Sequence, residues 1–348
     1  MSARRFGTLA AAASFAALGV AGCLERKETI TITKDGRVTI AIAYEGEKAY
    51  FETLDALPAE ASGWKVEREV KKEGDKEVVT LTAERRFGPN EELPDSFAPA
   101  NDPDSKLYLQ FPTTVQRERR ADGVYLHFRR IYPPRSWAYV QFWLDQLDDD
   151  NLKNIGEKKP EEVTPEERVE LMKAFASAEG LKQAELAERA LKESEKPLRQ
   201  DHWLAARRAL LNVYEEEVDW DSVGRRFEGM PQERRDAALE QESQRIFGEA
   251  QQAFIRSLQR DAGFDAERMK RFEAALAREK KYFEITNQLG AQAFNITVQM
   301  PGTIVAHNAE KSDQEDGSVQ WEFDGTAFRD RPFELLVTSR LPLERDEK

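Results

Sequence analysis

Few side chains in this sequence stand at spacings that support chemistry. The three histidines, His127, His202 and His307, include no pair at metal-ligand spacing, and neither HExxH nor CxxC occurs. No serine sits in Gly-x-Ser-x-Gly, and no glycine-rich loop is built to cradle phosphate. The acidic runs Asp148-Asp149-Asp150, Glu215-Glu216-Glu217 and Asp313 to Asp316 lack the alternate carboxylates, central glycine and distal glutamate of a calcium loop. They read as solvated faces and loop tips. The sequence therefore predicts no catalytic residue, no metal site and no cofactor. Two features remain. One is a basic cluster, Arg117, Arg119, Arg120, Arg129 and Arg130 with Arg135 close behind, spread over one predicted hairpin. It is either a solvated strand face or a patch for lipid head-group phosphates or an acidic partner. The other is Cys23, the sole cysteine.

Cys23 closes a distinctive opening. Arg4 and Arg5 are followed by an apolar, small-residue run from Leu9 to Val20, and then by Ala21-Gly22. This is the order of an export signal, and the run is too short and alanine-rich for a comfortable membrane span. Val20-Ala21-Gly22-Cys23 resembles the lipobox of bacterial lipoproteins. The resemblance implies that residues 1–22 are a signal peptide, that Cys23 becomes the first mature residue, and that its sulfur carries a diacylglyceryl group with palmitate-class acyl chains. A capped sulfur leaves no free thiol to mispair in an oxidising compartment. In that family an Asp after the cysteine retains the protein at the inner membrane, so Leu24 points to the outer one.

Composition bounds the rest. The chain has 348 residues and a net charge of −13, which argues against a nucleic-acid partner and a generally basic membrane surface. Strand-like alternation first appears at Thr29-Ile30-Thr31-Ile32-Thr33. That start leaves Leu24 to Lys27 as the tether, at most about 14 Å long. Val38, Ile40, Ile42 and Tyr44 alternate next. A three-residue loop, Lys34-Asp35-Gly36, sets Ile32 opposite Val38 and keeps the isoleucines on one face. Tyr50 to Leu57 suits a short helix. Strand patterns follow at Trp64–Val70, Val79–Ala83, Leu107–Phe111 and Val124–Phe128. A Pro-rich loop spans Gly88 to Ser105. Residues 28 to 132 thus predict an antiparallel meander of about six strands.

After Pro133-Pro134 the period becomes helical. Ser136 suits a cap for a helix bearing Trp137, Val140, Trp143, Leu144 and Leu147, and the aromatics Trp137, Tyr139, Phe142 and Trp143 would pack where the bundle docks on the sheet or line an apolar ligand site there. Asp148 to Lys159 breaks the pattern. Thr164-Pro165-Glu166-Glu167 is a capping box with Pro at the first helical position. Asp201, Met230-Pro231 and Asp265 mark later helix starts. Strands return with Phe294–Met300, Ile304–Ala306, Val319–Phe323 and Phe333–Val337. Three or four strands are few for a separate domain, so they are expected to join the N-terminal sheet.

Met300-Pro301-Gly302-Thr303-Ile304, Asn308, Val319-Gln320-Trp321 and Thr338-Ser339 also resemble the tail of the LppM-type lipoprotein domain. The resemblance implies an anchored envelope domain that binds lipid or glycolipid, and it carries no catalytic residue. The expected architecture is α+β: a mostly antiparallel β-sheet built from both ends of the chain, with a large α-helical insertion in the middle. Its parts are 23–132 β-rich, 133–290 helical and 291–348 completing the sheet. The expected function is that of a cell-envelope protein anchored to the membrane at Cys23 and facing out of the cytoplasm. There it acts as a non-enzymatic binding or interaction module for a lipid or protein partner, with the helical bundle facing away from the anchor as the partner surface. The alternatives are a lipid or glycolipid carrier with an apolar cavity between sheet and helices, and an envelope hydrolase without a local motif.

Overall fold

A computed structural model describes residues 24–343 other than 49–50, 52–55, 74–75, 100, 138–148, 159–161, 195–197, 228–229 and 291. The opening hairpin pairs β1 (Glu25–Ile32) with β2 (Val38–Glu47). Ile32 stands opposite Val38, so the loop is Lys34-Asp35-Gly36. Thr33 N donates to Arg37 O at 3.0 Å, and Gly36, at φ +83°, supplies the left-handed residue this loop needs. Ile30, Ile32, Val38, Ile40, Ile42 and Tyr44 are all buried. The strand begins earlier than the alternation of isoleucines suggests, at Glu25 and not Thr29. Leu24 is itself buried, and its carbonyl accepts from Ala293 N at 3.1 Å. The four-residue tether is therefore absent: Leu24 alone separates Cys23 from β1.

β3 (Lys65–Glu73) and β4 (Lys76–Phe87) extend this sheet on one side, and β7 (Ala293–Gln299), β9 (Lys311–Asp313) and β10 (Ser318–Asp324) on the other. The order is β3-β4-β2-β1-β7-β10-β9, with β1 and β7 parallel and the remaining pairs antiparallel. β5 (Thr113–Arg120), β6 (Gly123–Tyr132), β8 (Thr303–His307) and β11 (Phe333–Leu341) form a second, antiparallel sheet in the order β5-β6-β11-β8. The described fold is α+β, with strands from both chain ends and helices between them.

The N-terminal strands do not form one meander. The chain leaves the first sheet after Phe87 and enters the second at Thr113. The prolines between them cannot donate to a ladder, yet the segment buries Leu93, Phe97, Leu109 and Phe111. Leu107 to Phe111 is not a strand: Phe111 N bonds to Asp95 O at 2.6 Å inside the loop. The fifth strand is the charged Thr113–Arg120, an edge strand whose only buried residue is Thr113. β3 is also an edge, which leaves Val70 51% exposed. The C-terminal strands complete both sheets, and Asn308 ties them together. Its Oδ1 accepts from Trp321 Nε1 of β10 at 3.1 Å and from Leu336 N of β11 at 2.9 Å.

Among the described residues, 24–136 with 282–343 form one compact unit and 137–281 another. The helices are α1 (Asp150–Glu157), α2 (Pro165–Ser194), α3 (Gln200–Asn212), α4 (Trp220–Arg226), α5 (Gln232–Asp261) and α6 (Ala266–Gly290). The expected helix after Ser136 lies outside the described residues, as does most of the one expected at Tyr50 to Leu57. α1 falls in the polar stretch read as a break. Asp149 caps it, accepting from Asn151 N at 2.8 Å and Leu152 N at 3.3 Å. Asp201 does not cap α3; it sits in the first turn and pairs with Arg199 at 2.7 Å. Asp265 does cap α6, through Arg268 N at 2.8 Å.

The capping box at α2 is complete. Thr164 Oγ1 accepts from Glu167 N at 3.2 Å, and Glu167 Oε2 accepts from Thr164 N at 3.1 Å. Thr164→Ala is expected to weaken the helical unit by about 1 kcal/mol, read from the urea midpoint of its helical signal. No described helix is long and apolar enough to cross a membrane.

Within the sheet unit, the end of β6 and the starts of β7 and β1 lie together. Ala293, at the start of β7, stands beside Glu25 at the start of β1. Tyr132, at the end of β6, packs its ring 6.0 Å from that of Phe294. This is the end at which β1 begins.

Candidate functional site

The arginine cluster separates on the pleat of β5 and β6. Side chains on one strand alternate between faces, and directly opposed residues share a face. Arg117 is opposite Leu126 and Arg119 opposite Val124, on the side that holds the core. Both are nevertheless exposed, because this end of β5 overhangs it. Arg120 and Arg129 are on the other face and are paired. Arg120 bonds Glu118 at 2.6 Å and lies 4.3 Å over the Tyr125 ring; Arg129 bonds Glu334 at 2.8 Å. Exposed pairs of this kind contribute little to stability.

Arg130 and Arg135 are not surface residues. Arg135 is 5% exposed and donates to Thr286 Oγ1 through Nε and Nη2, at 2.9 and 2.7 Å. Arg130 is fully buried. Its position in β6 has the phase of Val124, Leu126 and Phe128, all of which face inward. The five-arginine patch expected from the sequence therefore does not form: one member is in the core and the other four divide between two faces.

What Arg130 meets in the core was not foreseen. Its Nη1 donates to Glu28 Oε1 at 2.7 Å, and its Nε to Thr113 Oγ1 at 2.8 Å. Glu28 Oε2 accepts from Arg26 Nη2 at 2.9 Å. Arg26 and Glu28 are 1% and 2% exposed. The result is a carboxylate on β1 bridging two guanidiniums, one on its own strand and one on the facing sheet. Burial opposes ionisation of Glu28, but Arg130 and Arg26 outweigh it and hold the carboxyl below the usual carboxylate range. The Arg26 guanidinium is ringed by Phe97 and Phe111 at 5.0 Å and by Tyr44 and Phe294 at 5.7 Å. Arg130 lies 5.0 Å from Phe111. Such contacts stabilise a desolvated cation. Two positive charges still face one negative. Among the described residues, no well-formed hydrogen bond reaches the buried Arg26 Nε, Arg130 Nη2 or Tyr132 hydroxyl. Burial pushes the Tyr132 phenol up, against the opposing pull of Arg130 and Arg26.

The sequence did hold a signal for this triad. Leu24, Arg26, Glu28, Ile30 and Ile32 alternate in one phase, so any strand long enough to begin at Glu25 sends both charges inward with the isoleucines.

The remaining candidates are placed as follows. His127 bonds Thr338 Oγ1 at 3.0 Å and Glu118 Oε2 at 3.3 Å on the outer face of the second sheet. His202 lies in α3, and His307 is exposed at the end of β8. Among the described residues no group of three or more His, Cys, Asp or Glu is placed to hold a metal. Glu215, Glu216 and Glu217 are exposed on a π-helical turn. Asp313 serves its own turn, accepting from Glu315 N at 2.8 Å. Trp137 is buried; Tyr139, Val140, Phe142 and Trp143 lie outside the described residues, as does Cys23.

The helical unit contains a small cleft with about 20 Å³ of enclosed space, lined by Gln183, Leu210, Tyr214, Phe247, Ala250, Gln251 and Phe254. Sites for drug-sized ligands span roughly 300–1,000 Å³, so the cleft is far too small for one.

No family model and no curated protein matches the sequence. Among solved structures, the chain aligns with the folded domain of the Mycobacterium tuberculosis LppM protein, determined by NMR. The alignment covers 95% of this chain and 98% of that one, at 10% identity and a TM-score of 0.28. That likeness is distant, and no functional conclusion is drawn from it.

Proposed function

We propose that the chain is a lipid-anchored cell-envelope protein, facing out of the cytoplasm and acting as a non-enzymatic binding or interaction module beside the membrane. The observation that carries this reading is the junction at Leu24. Its side chain is buried, its carbonyl is bonded to β7, and β1 starts at the next residue. An acyl group on Cys23 would then have only about 7 Å of chain before the sheet. It would fix the sheet unit at the bilayer and leave it little freedom to turn. The helical unit is the partner-binding part under this reading.

Leu24 in place of Asp favours the outer membrane under this reading. The same side chain also packs tightly, since a Cβ on Gly46 would meet Leu24 Cδ1 at 3.0 Å.

The test is fractionation. Wild-type protein is expected in the membrane fraction, released by detergent and retained in high salt. Cys23→Ser should move to the soluble or precursor pool with an unchanged circular dichroism spectrum. Membrane retention of Cys23→Ser equal to wild type would remove the proposal.

A further inference from the structure

We propose that Arg26, Arg130 and Tyr132 hold a small monoanion in the interior between the two sheets. The three groups converge. Both guanidiniums bond the same carboxylate, Glu28, and both lie 5.0 Å from the same ring, Phe111. Tyr132 is two residues beyond Arg130 on the same inward face of β6, and its ring meets that of Phe294, which also flanks Arg26. Among the described residues, each group carries a buried atom without a well-formed hydrogen bond: Arg26 Nε, Arg130 Nη2 and Tyr132 OH, the last close enough to the Arg130 guanidinium to feel its pull. Leaving one such atom dry is costly, and charged groups cost more than neutral ones. Three at one place, on a cluster with one positive charge in excess, define a complementary ligand.

That ligand carries one negative charge, accepts from two N–H groups and one O–H, and is small. Chloride and the carboxylate of a small acid share this chemistry; a dianion would overcharge the site. The rings around Arg26 cannot replace it, because an aromatic face attracts the cation without accepting a hydrogen bond in the plane of the guanidinium. Phe97 and Phe111, two of those rings, are carried by the loop between β4 and β5, in neither sheet.

Native-state hydrogen exchange of the purified full chain tests this, with amides of β1 and β6 as reporters. Sodium chloride, acetate or phosphate is titrated against gluconate at constant ionic strength and pH 7. Chloride or acetate should slow exchange saturably, by about tenfold at ten times the dissociation constant. The more effective of the two identifies the inorganic or the carboxylate source. Tyr132→Phe should shift half-saturation up about tenfold through loss of a hydrogen bond to a charged group, while in gluconate it folds as well as wild type. Arg117→Gln, an exposed change, should leave the response intact. Equal exchange in chloride, acetate and gluconate would overturn the proposal. So would an undiminished response in Tyr132→Phe, or a response to phosphate alone.

Discussion

Glu28→Gln is expected to lower the stability of the sheet unit by about 3–5 kcal/mol, the range for removing one partner of a buried ion pair. The substitution keeps shape and volume, so packing changes little. It removes the carboxylate that bonds both Arg26 and Arg130, the only one to do so among the described residues, and leaves two guanidiniums in the core facing a neutral amide. One of the amide's terminal atoms is a donor, which meets donors where Glu28 had accepted two bonds. Exchange at β1 and β6 should accelerate by at least about a hundredfold at pH 7. The loss should also depend on pH. The folded-state pKa of Glu28 lies below its ordinary value of 4.5. Its contribution is therefore fully present above that value and disappears as pH falls through it toward the folded pKa. Wild type and variant should converge in acid. A difference that stays constant from pH 7 to pH 3 would show that the charge is not what stabilises.

The second large effect is steric. A Cβ at Gly325 would stand 1.9 Å from Leu289 O and 2.5 Å from Leu289 C. Both are backbone atoms in the last turn of α6, and Leu289 is itself 1% exposed. No side chain can rotate away to make room. Gly325→Ala must push the end of α6 off the turn that follows β10, and it is expected to cost about 3 kcal/mol, at the upper end for overpacking a core. Gly88→Ala is the control, since its added methyl would meet only the Glu91 carboxylate, at 3.6 Å. A Gly325→Ala protein as stable as that control would mean the close approach of α6 to the turn after β10 is wrong.

Local rules carried much of the fold. The β1–β2 register followed from face matching and one left-handed glycine. The start of α2 followed from four residues, Thr164 to Glu167, because caps are local hydrogen-bond problems with few solutions. Return of the C-terminal strands to the N-terminal ones followed from the inability of so few strands to bury a face alone. The division into two sheets was not legible. Alternation reports that Leu109 and Phe111 turn inward, but not whether they lie in a ladder or a loop. β5 was missed for the converse reason: an edge strand buries so little that its sequence needs no apolar alternation.

The buried triad was missed because polarity was allowed to override phase. Arg26, Glu28 and Arg130 occupy core positions by strand period, but alternation of apolar residues begins only at Thr29, which leaves Arg26 in the tether, and Arg130 reads as part of a surface cluster. Charges reach a core when they arrive together, and the partner of Glu28 is 102 residues away. Phase could have placed each charge inside; the sequence does not pair them. Cys23 is the opposite case. Its proposed lipidation rests on the residues before it, and the structure adds only how close Leu24 brings it to β1.

Mass analysis of the N-terminal peptide from protein extracted with membranes therefore tests the central claim most directly. The account predicts a mature chain that begins at Cys23 and carries a diacylglyceryl thioether, with Leu24-Glu25-Arg26 following. A peptide starting elsewhere, or Cys23 recovered with a free thiol, would contradict it.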